Sequence, residues 1–165
     1  MNIYNHYIQI VDIIVERFDI MNILVSACLL GVDCRYDGSS SLHDCLDKLK
    51  EDHHFIPVCP EIFGGLKTPR DPAEKQGDIV MTMSGENVTS YFEKGATETL
   101  KLAQFFHCKL AILKERSPSC GYGKIYDGTF SGKLIDGNGV TAELLLANHI
   151  NVIGETQIEQ YFSNR

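Results

Sequence analysis

The sequence has no low-complexity run, no internal repeat, no excess of basic residues and no apolar stretch long enough to span a bilayer, so disordered, repeat and membrane-spanning classes fall away. Fifteen Lys and Arg face twenty-two Asp and Glu, a net charge of -7. That balance argues against a broad electrostatic footprint on nucleic acid or anionic lipid and leaves a small molecule as the expected partner. The segment from Met1 to Ile20 carries Asp12, Glu16, Arg17 and Asp19 among its apolar residues and lacks a small-residue cleavage site, so it does not read as a secretory signal. The chain is expected to be cytoplasmic, where disulfides are rare.

What remains is a globular chain of 165 residues with 44% hydrophobic side chains, enough for one domain with its own core. Residues 1–20 read as an N-terminal extension, with Tyr7, Ile8, Val11, Ile14, Val15 and Phe18 at amphipathic helical spacing. From Met21 onward, short continuous apolar runs at Asn22–Ala27, Phe55–Val58, Lys109–Lys114 and Asn151–Ile153 alternate with helical patterns. This is the signature of βαβ units, and it predicts a Rossmann-like α/β domain over residues 21–165, an open and mainly parallel sheet with helices on both faces. Ser41 with Asp44, Ser90 with Glu93, and Thr141 are the expected helix caps, with Leu42 and Phe106 on the apolar faces of the first two helices. A small antiparallel hairpin is expected over Asp78–Thr89, turning at Ser84-Gly85.

Six cysteines are more than packing requires. There is no local C-x-x-C knuckle. Cys28, Cys59 and Cys120 instead follow the first, second and third core strands, so a parallel sheet brings all three to one edge, where open α/β sheets bind ligands. Three convergent thiolates could hold zinc, form a disulfide with an odd partner, or bind three corners of an iron–sulfur cluster, whose fourth iron would then be an open Lewis acid suited to soft sulfur. Cys45 and Cys108 are expected in the core, while Cys34 could be a fourth ligand, a bystander or a reactive thiol. Around the cysteines, Glu61 stands two residues past one candidate ligand, and Ser117 and Ser119 flank Pro118 just before another. Arg70, and less so Arg35 and Arg116, could offset cluster charge or hold a ring carbonyl, and Asp37 could bind a ring N–H.

The linked motifs Cys28-Leu29-Leu30-Gly31 with Arg35-Tyr36-Asp37-Gly38, Cys59-Pro60-Glu61 with Gly64-Gly65-Leu66, Pro69-Arg70-Asp71-Pro72, Ser117-Pro118-Ser119-Cys120-Gly121 and Ile125-Tyr126-Asp127-Gly128-Thr129-Phe130 resemble a bacterial domain-of-unknown-function family, some of whose members are thiouracil desulfidases. The resemblance runs from residue 21 to about 155. It implies a single α/β domain with a [4Fe-4S] cluster on Cys28, Cys59 and Cys120, Glu61 and Ser117 as the acid/base pair, and a thionucleobase substrate losing its sulfur as hydrogen sulfide without net redox change. Substrate contacts are then expected from Asp37, Arg70 and Ser119. The alternative is a non-catalytic iron–sulfur or zinc protein that delivers or senses sulfur.

Overall fold

The computed structural model describes residues 20–163, so the expected N-terminal helix lies outside the described residues. The centre is β1 (Asn22–Ser26), whose Ile23, Leu24 and Val25 are fully buried. A strand buried on both faces needs a neighbour along each edge and a layer over each face, and β1 has both. It pairs in parallel with β2 (His54–Val58) on one side and β5 (Leu110–Leu113) on the other, and β5 pairs in parallel with β8 (Asn151–Gly154). The order β2-β1-β5-β8 reverses direction between β1 and β5, which makes that gap the topological switch point.

Alternation along the strands sorts the core into two layers. Ile23, Val25, Leu110, Ile112 and Ile153 face a layer made by α1 (Cys45–Leu49) and α5 (Ile158–Ser163). Leu24, Val58, Ala111, Leu113 and Val152 face α3 (Thr89–Phe105) and α4 (Val140–Ala147). The parallel sheet with helices on both faces is thus as the sequence predicts. Among the described residues, no helix is long and apolar enough to cross a membrane.

The helix starts depart from the expected caps. Asp44 flanks α1 without a capping hydrogen bond, and Leu42 lies outside the helix, 63% exposed. The start of α3 moves two residues earlier, its N-cap at Val88, which is buried in a small satellite core with Val80 and Phe92, and Asn87 Oδ1, not Ser90, accepts the Thr89 N–H. The far end of α3 is exposed: Phe106 caps it and meets Phe105 edge-on rather than entering the core. Thr141 falls inside α4, behind the N-cap Gly139, with its hydroxyl on Ser119 Oγ at 2.9 Å.

Two antiparallel hairpins sit on the C-terminal side of the sheet's segments. The first pairs β3 (Ala73–Gln76) with β4 (Ile79–Thr82) through a turn at Gly77, φ 59°. The expected turn at Ser84-Gly85 exists, but it leads back only to a single bridge, Met81 to Asn87. The main partner was hidden because Ala73-Glu74-Lys75-Gln76 does not look like a strand; Glu74 and Lys75 are buried against dedicated polar partners. The second hairpin pairs β6 (Lys124–Tyr126) with β7 (Leu134–Asp136), strands of three residues each, too short for an alternating pattern to mark them in the sequence.

One contact fixes the frame of the site. The short α2 (Pro60–Gly64), which follows β2, lies backbone to backbone on α3: an added Cβ at Gly95 would stand 1.8 Å from the Pro60 carbonyl oxygen, and one at Gly64 would stand 2.0 Å from that of Tyr91. Neither obstacle is a side chain that can swing away. Gly95→Ala is expected to force the helices apart and lower stability by on the order of 3 kcal/mol, or about 6–12 °C in Tm for a domain of this size. A thermal melt shifted by less than a degree would show that α2 is not docked this way.

Candidate active site

The three strand ends nearest the switch point supply the thiols. Cys28 lies in the 3₁₀ turn Ala27–Leu30 that β1 runs into, closed by Gly31 at φ 88°. Cys59 caps α2 in an extended conformation, with Pro60 in the first helical position and Glu61 in the first turn. Cys120 lies in the loop beyond β5 and, like Cys28, is buried. The structure also draws Cys34 into this group: it is 2% exposed, its carbonyl oxygen is 3.8 Å from Cys59 Sγ, and its thiol lies within electrostatic reach of those of Cys28 and Cys59. Cys120 in turn lies within electrostatic reach of Cys59 and Glu61.

This crowding raises the thiol pKa values. The Cys28 contact, with burial, pushes Cys34 up to about 11; the Cys34 contact and burial push Cys59 well above the ordinary thiol range; and burial pushes Cys120 up to about 12. These three are neutral thiols at pH 7 until a metal draws off their protons. Among the described residues, no three His, Cys, Asp or Glu side chains gather closely enough to hold a single metal ion. Thiols that share one buried region without sharing one coordination sphere suit a multi-iron cluster, in which each thiolate takes its own iron. Cys108 is buried in the core as expected, whereas Cys45 is half-buried and donates to Glu159 Oε1 at 3.3 Å.

Glu61 stands between these thiols and a cleft of about 550 Å³ whose wall it shares with Ser117. Arg70 clamps the carboxylate, with Nε and Nη2 both 2.7 Å from Oε2, in a pair only 9% and 16% exposed. The same guanidinium donates to the Cys34 carbonyl at 3.1 Å, so one cation ties the Cys34 loop to α2. With Oε2 so occupied, Oε1 is left 3.5 Å from Ser117 Oγ. That hydroxyl oxygen accepts the Ser119 and Cys120 N–H groups, each at 3.1 Å. Its lone pairs are thereby engaged, and its proton is directed toward Glu61 or into the cleft.

The other sequence-derived candidates divide between the cleft wall and positions away from it. Arg70 is behind Glu61, while Arg35 and Arg116 reach the cleft wall. Ser119 is fully buried and its hydroxyl is shared with Thr141, riveting the Ser117–Cys120 loop to α4. Asp37 is exposed; Ser39, through its hydroxyl and N–H, holds the Asp37 carboxyl below its usual range, and Arg35 lies 3.5 Å away. Sequence reasoning missed much of the cleft wall: Tyr36, Glu74, Lys114, Tyr126 and Phe130 line it. Tyr126 and Phe130 were visible in the Ile125–Phe130 motif, yet no spacing rule tied them to the cysteines. Lys114 is fixed by an ion pair with Glu155, which also accepts the Glu115 N–H at 2.6 Å.

Known proteins match this chain along most of its length. A solved structure of the [4Fe-4S]-dependent thiouracil desulfidase TudS is 45% identical, superposes with a TM-score of 0.79, and is matched over 85% of this chain and 94% of its own. The protein YbbK of Bacillus subtilis (strain 168), described as uncharacterized, is 46% identical over 146 residues, 82% of this chain and 97% of that one. The 2-thiouracil desulfurase family model matches residues 23–157. With most of the chain covered by that match, the protein belongs to the 2-thiouracil desulfurase family.

Proposed function

We propose that this protein is an iron–sulfur-dependent desulfidase that hydrolyses the C=S group of 2-thiouracil-like thionucleobases, releasing the oxo base and hydrogen sulfide. The observation that carries the reading is the position of Glu61, a clamped carboxylate that faces the cleft on one side and the buried thiols on the other. A protein that only stored or carried sulfur would have no need of an oriented carboxylate and hydroxyl at that boundary. The similarity to TudS supports a [4Fe-4S] cofactor; Cys28, Cys59 and Cys120, on the three segments that leave neighbouring parallel strands, are the residues that would hold it. When bound, such a cluster supplies an iron without a thiolate, a Lewis acid that accepts soft sulfur and polarises C=S.

The chain's own residues account for the proton movements. Glu61 Oε1 takes a proton from water as the water oxygen adds to the thiocarbonyl carbon. Arg70 keeps the carboxylate oriented while this occurs, since rotation would break both contacts to Oε2. The Ser117 hydroxyl, its oxygen held by two N–H groups, hydrogen-bonds toward the charge that develops in the cleft and keeps its own proton. The C–S bond then breaks as the proton on Glu61 goes to the departing sulfur, and the proton remaining on the added hydroxyl passes through Glu61 to complete hydrogen sulfide as the carbonyl forms. One water is consumed, one hydrogen sulfide is released, and no electrons change hands.

Two tests follow. Substitution of Cys28, Cys59 or Cys120 by Ser is expected to abolish the broad absorption at about 400 nm that thiolate-to-iron charge transfer gives, while Cys34→Ser keeps four irons and turnover. Loss of iron from Cys34→Ser alone would mean four protein ligands and no open iron. Glu61→Gln is expected to keep the iron–sulfur spectrum and still bind 2-thiouracil, but to release sulfide about 10²–10⁴ times more slowly, the usual cost of losing a general base. Anaerobic sulfide release decides this: an unchanged rate removes Glu61 from the mechanism, and no release from the parent protein with any thionucleobase favours a carrier of sulfur.

A further inference from the structure

Phe130 is placed in a way that packing does not require. It has φ 57°, in the left-handed region that a bulky side chain adopts only under constraint. Two of the other non-glycine residues with positive φ, His107 and His149, lie just past the ends of α3 and α4, where a left-handed residue commonly terminates a helix. Phe130 ends no helix, and it joins none of the buried clusters of the core among the described residues. Its half-buried side chain instead lines the cleft with Glu61 and Ser117.

A buried carboxylate imposes the conformation. Glu74, 9% exposed, directs a single oxygen, Oε2, at the N–H groups of Gly128 (3.0 Å) and Phe130 (2.9 Å). The loop lies directly on β3, so that a Cβ at Gly128, φ 87°, would come within 2.7 Å of Gln76 Cβ. Asp127 closes the base of the loop: its N–H donates to the Lys133 carbonyl at 3.1 Å and its Oδ1 accepts the Thr129 N–H at 3.0 Å. A charged group has thus been buried to hold one aromatic ring at the wall of a reaction cleft.

We propose that Phe130 is the specificity-determining platform on which the flat pyrimidine ring stacks, and that Glu74 is the positioning residue that presents it. The inference rests on the thionucleobase reading above and adds what distinguishes an aromatic ring from any other thiocarbonyl compound. Stacking on an aromatic side chain favours planar, conjugated rings over puckered ones of equal hydrogen-bonding pattern. Uracil and 5,6-dihydrouracil form such a pair.

The test is equilibrium binding of those two compounds to the cluster-loaded protein by calorimetry, which needs no turnover. The parent protein is expected to prefer uracil by on the order of tenfold, and Phe130→Leu to lose most of that preference with its iron–sulfur spectrum intact. Glu74→Ala is expected to weaken the preference as well, and Glu74→Gln to restore it, because the amide retains one oxygen able to accept both N–H groups. A preference that survives Phe130→Leu, or that vanishes only with Tyr36→Leu, overturns the proposal, as does a parent that does not distinguish the two rings. A parent that prefers uracil yet releases no sulfide from any thionucleobase would leave the stacking platform standing and remove the desulfidase reading.

Discussion

The position of β1 between β2 and β5 is the constraint from which the site follows. A strand with Ile23, Leu24 and Val25 all fully buried gains about 1.5–3 kcal/mol per large side chain, and only a central place in a doubly covered sheet provides that burial. Once β1 is central and parallel to both neighbours, the three chain segments leaving their C-terminal ends must emerge side by side. Cys28, Cys59 and the loop bearing Ser117 and Cys120 lie on those segments. Apolar packing well away from the chemistry therefore decides which polar groups meet.

Packing brings these segments together, but buried charges set their finer geometry. Arg70 joins the Glu61 carboxylate on α2 to the carbonyl of the Cys34 loop. Glu74 fastens the Phe130 arch to the first hairpin, and the buried Lys75, its neighbour, reaches out to the exposed Glu143 of α4 at 2.6 Å. Removing one partner of a buried pair leaves an uncompensated charge, whereas neither partner gains much over an apolar contact of similar size. Such pairs are a costly way to gain stability and an effective way to fix direction. Their concentration on the hairpins and loops around the cleft fits a region in which atoms must be aimed rather than merely enclosed.

Much of this was legible in the sequence. The four continuous apolar runs located the core strands within a residue or two, because burial on both faces leaves an uninterrupted hydrophobic signal. The family was legible too, since its motifs are short and follow in order. The helix caps were less so: Ser90 and Thr141 have capping chemistry, but Val88 and Gly139 were drawn into place by tertiary contacts that begin each helix elsewhere. The charged strand Ala73–Gln76 gave no strand signal because its burial depends on polar partners at positions 128, 130, 138 and 143.

By itself, then, the sequence determined the parallel α/β frame, the cysteines that follow its strands, and the presence of Glu61 and Ser117 beside them. Hydrophobic periodicity and chain order are local properties, readable along the chain. Only the tertiary structure decided that Arg70 stands behind Glu61 instead of in the cleft, that Cys34 joins Cys28 and Cys59, and that Phe130 faces the site with a left-handed backbone. Each of these rests on a contact between residues distant in sequence, where direction depends on how packed elements are placed and no local pattern encodes it.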